Sequence, residues 1–210
     1  MNSWKNQIVL KTLVPFVAAY LILCAVRAGQ VDLQTLVSNW QSILAIGALA
    51  FGLSLFQDLF PKSWKEFLIF GRIKDRLPGH RAFDADRKFS DVIDRREVIN
   101  IAERETMKPR EQHRKFYRLY NQYRDSGAVS NSSYRYLQWR ELSFTALVSA
   151  FAVLLIFVYN HGFLTFVSWE LFAYGLATYA LSVIAARRAA SDLIDYVLLT
   201  EMLEKTQDDE

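Results

Sequence analysis

The stretch SNSSYRYLQWRELSFTALVSA, residues 130–150, passes from a charged part of the chain into an apolar run without a proline or a glycine. Tyr134, Tyr136 and Trp139 lie on the polar side, and the apolar run begins at Leu142. Because proline and glycine are the residues that most strongly interrupt helices, the stretch predicts one long helix across the junction. A charged block and an apolar segment are therefore expected to share a single helix.

The charged block extends over residues 61–140 and holds 19 of the 25 Lys and Arg residues but 11 of the 22 Asp and Glu residues. Apolar residues concentrate instead in four runs, at 8–26, 38–60, 142–163 and 164–186. A helix needs about 20 mostly apolar residues to cross a bilayer, so each run is long enough to span one. The sequence predicts an all-α integral membrane protein with four transmembrane helices and a helical cytoplasmic insert between the second and third.

The distribution of positive charge predicts the orientation. The short connection 27–40 carries a single Arg, and the short connection 160–165 carries neither Lys nor Arg. The charged block, in contrast, is strongly basic. By the positive-inside rule, both termini and the block should be cytoplasmic, with the spans in a bacterial inner membrane. The expected organisation is a transmembrane hairpin over 1–60, a basic helical module over 61–140, a second transmembrane hairpin over 141–188, and an acidic C-terminal helix over 189–210.

Turn-forming and capping residues predict the helices inside the block. A membrane-surface helix is expected over 61–77, ended by the turn at Pro78-Gly79. A second helix should begin at Ser90, with Ser90 and Asp91 as its cap candidates. A third should open at Pro109 and stop at 125–127. The acidic residues near the C-terminus predict a contact between the C-terminal helix and the basic module.

A polar ridge runs along the fourth apolar stretch. Its members recur at four-residue steps and so share one side of a helix: Glu170, Tyr174, Thr178 and Ser182. An ionisable residue in a span is costly, which makes Glu170 a functional candidate. Two interpretations stay open: a polar path through the membrane, or interhelical contacts in which Arg27 pairs with Glu170. At the end of the second run, Asp58 and Lys62 have the spacing of a local ion pair.

The basic module combines cations with aromatic side chains, which suits a ligand, a lipid or a protein partner. The candidate binding residues are Arg72, Lys74, Arg76, Arg81, Arg114, Lys115, Arg118, Tyr120, Arg124 and Trp139. Such a surface can hold the anionic lipid head groups of an inner leaflet. It can equally stack and neutralise a nucleotide or single-stranded nucleic acid. The partners predicted are the bilayer, further copies of this chain, and a cytoplasmic protein or nucleotide.

Patterns that would indicate an enzyme are absent from the sequence. There is no phosphate-binding loop, no nucleophile elbow, no zinc-protease motif and no dinucleotide-binding turn. Cys24 is the single cysteine, which excludes an internal disulfide. His80, Asp84 and Asp86 have the residue types of a metal site, although a solvated loop has the same pattern. No catalytic residue, metal or cofactor is predicted.

The segment GRIKDRLPGHRAF, residues 71–83, together with the order span, span, basic insert, span, span, resembles small four-span bacterial inner-membrane proteins of unassigned function. A similar layout occurs among bacterial anti-phage effectors, in which activation leads to pore formation or depolarisation. The resemblance implies a non-enzymatic homo-oligomer whose basic module controls a pore. The alternative is a membrane anchor or scaffold that recruits a cytoplasmic partner to the inner leaflet.

Overall fold

A computed structural model of the chain describes residues 14–16, 18–19, 59–84, 86–103, 106–159 and 165–208, with the backbone alone over 152–159 and 165–171. Every regular element in these ranges is helical, as the sequence predicts. The α-helices are α1 (Lys62–Phe70), α2 (Arg95–Ala102), α3 (Pro109–Tyr123), α4 (Gly127–Tyr159) and α5 (Thr165–Asp208), and a 3-10 helix covers Pro78–Arg81.

No helix in the described part of the chain combines the length and the apolar character needed to cross a membrane. The predicted spans at 8–26 and 38–60 lie outside the described residues except for 14–16, 18–19 and 59–60. The predicted connection between the third and fourth spans also lies largely outside them, at 160–164. The same holds for Arg27 and Asp58, and no side chain is described for Glu170.

The described residues belong to two compact units. The first takes its residues from 1–65 and 140–183, and the second from 66–139 and 184–210. In the second unit, the core gathers apolar side chains from α2, α3, α4 and α5, with Val129, Val197 and Leu198 fully enclosed. The C-terminal part of α5 therefore completes the core of the charged block.

Helix α1 ends earlier than the sequence predicts. The expected helix over 61–77 stops at Phe70 because Gly71 adopts a left-handed conformation, with φ of 65°. Its backbone N–H donates to the carbonyl oxygen of Phe67 at 2.7 Å, which is the usual closure of a helix C-terminus. Residues 71–77 consequently leave the helix as a loop that carries several of the basic residues.

Helix α2 begins later than predicted, and its cap is a different residue. The Asp94 carboxylate accepts a hydrogen bond from the backbone N–H of Arg96 at 2.9 Å, so Asp94 is the N-cap. Ser90 lies instead in a preceding turn, where its carbonyl oxygen accepts from the N–H of Ile93 at 3.0 Å. The cap prediction at Ser90 and Asp91 is wrong because a third capping residue lies closer to the apolar face.

The predictions for the other helices are confirmed in their main features. Helix α3 starts at Pro109, where the missing N–H costs no hydrogen bond. Helix α4 is unbroken from Gly127 to Tyr159, so the charged block and the apolar run do share one helix. The chain also stays helical beyond Arg188 as part of the 44-residue α5.

The predicted contact between the acidic C-terminal helix and the basic module is present at the end of α3. The Tyr123 hydroxyl donates to Glu201 at 2.7 Å and also contacts Glu204. Gln122 donates to the same Glu204 at 3.2 Å. Burial, together with the two neighbouring carboxylates, raises the pKa of Tyr123 and keeps its hydroxyl protonated as a donor.

Candidate anion-binding site

A cavity of about 410 Å³ lies in the second unit, between the loop that follows α1, the 3-10 helix and α5. Five arginines line it, and only two of them come from the same element: Arg72, Arg76, Arg81, Arg87 and Arg187. Of the ten predicted binding residues, the structure brings Arg72, Arg76 and Arg81 to this cavity, together with Arg87 and Arg187. The result is a concentration of guanidinium groups on one small volume.

Three of the arginines are held by contacts with the protein. Arg187 donates from Nε to the carbonyl oxygen of Ile69 at 2.7 Å, at the C-terminal end of α1. Arg76 donates from Nε to the carbonyl oxygen of Ile73, also at 2.7 Å. Arg87 forms an ion pair with Asp195 at 2.7 Å and is almost buried. These contacts fix the positions of the side chains before any ligand arrives.

Arg72 and Arg81 are held by fewer contacts with the protein. Among the described residues Arg72 donates no hydrogen bond, and Arg81 is half exposed with its Nε 3.7 Å from Asp84. Burial lowers the pKa of Arg72, and the positive charges of Arg81 and Arg187 lower it further. Arg72, Arg81 and Arg187 therefore lie close enough to repel one another, and Asp84 opposes part of this repulsion.

The carboxylates around the cavity neutralise only part of this charge. Asp195 forms an ion pair with Arg87. Asp84 accepts a hydrogen bond from Nε2 of Gln112 at 2.8 Å and faces Arg81, and Asp86 is exposed. With Arg87 balanced by Asp195, four arginines and two aspartates remain among the described lining residues, an excess of two positive charges. Apart from Ser191, apolar side chains form the rest of the described lining: Phe70, Leu77, Pro78, Ala190 and Ile194.

A pair of stacked histidines attaches the 3-10 helix to α3. The rings of His80 and His113 are 4.5 Å apart between centroids, with an angle of 20° between their planes. The Nδ1 atoms of both rings are buried and have no hydrogen-bond partner among the described residues. Gly79 allows the close approach, since a Cβ there would lie 2.6 Å from the Phe116 ring. The 3-10 helix supplies Pro78 and Arg81 to the cavity, so the histidine pair supports its wall.

Acidification is expected to destabilise the fold through His113. Burial, followed by the nearby His80, lowers the pKa of His113. The unfolded chain takes up a proton near the ordinary histidine pKa of about 6.5, whereas the folded chain resists it. The stabilisation is therefore complete above that pH and is lost as the pH falls below it. The melting temperature, followed by circular dichroism in detergent, should drop by on the order of a few degrees between about pH 7.5 and about pH 5.5.

The His113→Asn variant is the control for this prediction, because asparagine does not titrate. Its melting temperature should depend less on pH over the same interval, even though the raised pKa of buried Asp195 remains and acts in the opposite direction. An equal pH dependence in the variant and the natural protein would show that His113 is not responsible. The Asp75 carboxylate lies 3.8 Å from Nε2 of His80.

The other predicted binding residues do not join the cavity. Lys74 is exposed and outside its lining, and Lys115 pairs with Glu103 at 2.7 Å. The hydroxyl groups of Tyr120 and Ser133 form a hydrogen bond at 2.9 Å, and Trp139 packs against the core. The remaining three are exposed on or beside α3: Arg114, Arg118 and Arg124. These residues therefore serve packing or form a separate basic surface.

The described part of the polar ridge is engaged in packing within the first unit. The buried Ser182 hydroxyl donates to the carbonyl oxygen of Thr178 at 2.7 Å, in its own helix. Tyr174 stacks on Phe16, with ring centroids 6.0 Å apart. The stacking of Tyr174 favours the interhelical interpretation, whereas the Ser182 hydroxyl is satisfied within its own helix. The predicted pairs of Arg27 with Glu170 and of Asp58 with Lys62 lie outside the described residues.

Sequence reasoning missed Arg87 and Arg187 as parts of the site. Arg187 follows the end of the fourth apolar run, and Arg87 lies in a loop of alternating charges, so neither belongs to a recognisable motif. Across the described ranges, no cluster of three or more His, Cys, Asp or Glu side chains could hold a metal ion. His80 faces His113, whereas Asp84 faces Gln112 and Arg81.

Comparisons with protein-family models, with curated proteins and with solved structures found no match to this chain.

Proposed function

We propose that this chain is a non-enzymatic, homo-oligomeric inner-membrane protein whose basic helical module binds an anionic ligand and thereby controls the permeability of the membrane. The observation that carries the proposal is the convergence of five arginines on one cavity of the module. Arginine forks bind carboxylates and phosphates through paired hydrogen bonds. A cavity with surplus positive charge and fixed guanidinium groups has the properties of a receptor site.

The membrane part of the proposal is supported by the hydropathy of the sequence and by exposed apolar residues. The four apolar runs have the length of spanning helices, and the intervening charge follows the positive-inside rule. Along α5, apolar residues are exposed turn after turn: Ala173, Leu176, Ala177, Ala180, Leu181 and Ile184. Solvent-facing apolar residues in this number are costly in water and favourable against lipid. Both termini and the basic module are placed in the cytoplasm.

Binding can be tested with inorganic pyrophosphate, a small polyanion, added to the purified protein in detergent. We expect pyrophosphate to raise the melting temperature of the natural protein, because a ligand of the folded state stabilises it. The double variant Arg72→Gln, Arg81→Gln should lose this rise. Arg72 makes no hydrogen bond among the described residues and is repelled by its neighbours, so this variant should keep or exceed the natural melting temperature without ligand.

Lys74→Gln is the matched control, since Lys74 lies in the same loop as Arg72 but outside the cavity lining. It should keep the full response to pyrophosphate. A response that is unaffected by the arginine substitutions, or equally reduced in the lysine variant, would refute the cavity as the anion site.

The proposed output is a leak through the membrane, as in the anti-phage effectors of similar layout. Liposomes containing the natural protein should release a trapped dye or lose a potential, and Glu170→Ala should change the leak while the oligomer stays intact. Equal leakage in both proteins, or none, would refute the pore.

The competing function is an anchor or scaffold, for which charge reversal at Arg114, Lys115 and Arg118 should abolish capture of a cytoplasmic protein. The exposed positions of Arg114 and Arg118 favour keeping this second candidate.

A further inference from the structure

We infer that the ligand of the arginine-lined cavity is an organic phosphomonoester, that is, a dianionic phosphoryl group bearing an apolar substituent. The inference rests on the proposed function, which requires only that some anion binds, and it names the chemical class of that anion. Three properties of the cavity carry it: the charge in excess, the composition of the walls and the volume.

The charge in excess matches a dianion. With Arg87 balanced by Asp195, the remaining charged groups of the lining leave two positive charges. A phosphomonoester carries close to two negative charges at neutral pH because its second pKa is about 6. A phosphodiester or a carboxylate carries one negative charge and would leave one cation without a partner. Unpaired charge in a partly desolvated site is unfavourable, so the dianion should bind more tightly.

The walls are not uniformly polar. Phe70, Leu77 and Ile194 face the same cavity as the arginines, together with Pro78 and Ala190. A bare phosphate would leave these apolar surfaces in contact with water. An apolar group attached to the phosphate would cover them, and the area removed from water would add to the affinity by about 25 cal/mol per Å².

The volume also exceeds what a bare phosphate needs. The cavity measures about 410 Å³, which lies within the usual range of about 300–1,000 Å³ for small-molecule sites. A phosphate ion replaces only a few water molecules, each of which occupies about 30 Å³. The remaining space is sufficient for a ring or a short alkyl chain, such as the base of a nucleotide or the first part of a lipid acyl chain.

The test measures the affinity of the full-length protein in detergent for three compounds by calorimetry at about pH 8, where a phosphomonoester is a dianion. The compounds are phenyl phosphate, methyl phenyl phosphate and inorganic phosphate. We expect phenyl phosphate to bind at least about tenfold more tightly than either of the others. In Arg72→Gln this affinity should fall by about tenfold to a hundredfold, the value of a lost charge-assisted hydrogen bond. Leu77→Ala should weaken phenyl phosphate while leaving inorganic phosphate unchanged, since Leu77 belongs to the apolar wall.

The outcomes separate the inference from the proposed function. If phenyl phosphate and methyl phenyl phosphate bind equally tightly, the ligand need not be a dianion. If inorganic phosphate binds as tightly as phenyl phosphate, the ligand needs no apolar substituent. Either result overturns the inference but leaves an anion-binding site. Pyrophosphate binding without any binding of phenyl phosphate would overturn the inference alone, and absence of all binding would overturn both. A nucleoside monophosphate in solution, compared with vesicles containing phosphatidic acid, then identifies whether the phosphomonoester is a soluble metabolite or a lipid head group, and vesicles containing phosphatidylglycerol, a phosphodiester, are the control that should bind more weakly.

Discussion

Replacing Arg87 by alanine is expected to lower the free energy of unfolding by about 3–5 kcal/mol, the usual cost of removing one partner from a buried ion pair. The side chains of Arg87 and Asp195 are only 11% and 18% exposed, and the two groups are 2.7 Å apart. Arg87 also donates to the carbonyl oxygen of Ser191 at 2.9 Å. Without Arg87, Asp195 would remain buried with an uncompensated charge, although burial already raises its pKa.

Chemical unfolding in detergent, followed by circular dichroism, measures this effect. The matched control is Lys115→Ala, which removes a pair of the same length whose Glu103 partner is 80% exposed. Solvent screens that pair, so the loss should stay below about 1 kcal/mol. The double variant Arg87→Ala, Asp195→Ala should be more stable than Arg87→Ala alone, because it no longer buries a charge. A double variant as unstable as the single one would show that the arginine acts through packing instead.

Replacing Gly175 by leucine should destabilise the first unit by about 1–3 kcal/mol or more through overpacking between α4 and α5. A Cβ at Gly175 would lie 2.9 Å from the Cβ of Ala150 and 3.2 Å from its Cα. The Cα atom of Ala150 belongs to the backbone and cannot rotate away, so α4 and α5 would have to separate. Small residues that allow such close approach are typical of helix contacts in membranes.

The control for Gly175→Leu is Ala177→Leu, two residues along the same helix. Ala177 is exposed, so the described part of the structure leaves room for a larger side chain there. The Ala177→Leu variant should have a melting temperature in detergent near that of the natural protein, whereas the melting temperature of Gly175→Leu should be clearly lower. Similar values for the two variants would argue against a close contact at Gly175.

Local chemistry made several helices predictable. Pro109 marks the start of α3 because proline satisfies a first helical position without an N–H. The absence of proline and glycine from residues 130–150 made the continuity of α4 predictable in the same way. Prediction failed where two signals competed: Asp94 capped α2 in preference to Ser90, and Gly71 ended α1 before the Pro78-Gly79 turn. Propensity ranks such residues but does not decide between them.

The candidate site was predictable only in part, because it combines residues distant in the chain. Arg72, Arg76 and Arg81 were among the basic residues that the sequence predicted to bind a ligand, a lipid or a partner. Arg187 lies more than 100 residues later, and it reaches the cavity because α5 packs in the core beside the loop. No periodicity or motif encodes that meeting. The same holds for the stacking of His80 on His113, which depends on the space beside Gly79.

The sequence by itself determined the helical class of the chain, the separation of apolar runs from a basic block, and the helix that continues from the block into the third apolar run. These features follow from composition and from hydrogen bonds within single helices, so neighbouring residues suffice to specify them. The tertiary structure decided which cations gather and which are neutralised. Those properties depend on distances between side chains far apart in the chain, and only the packing of α5 against the block sets those distances.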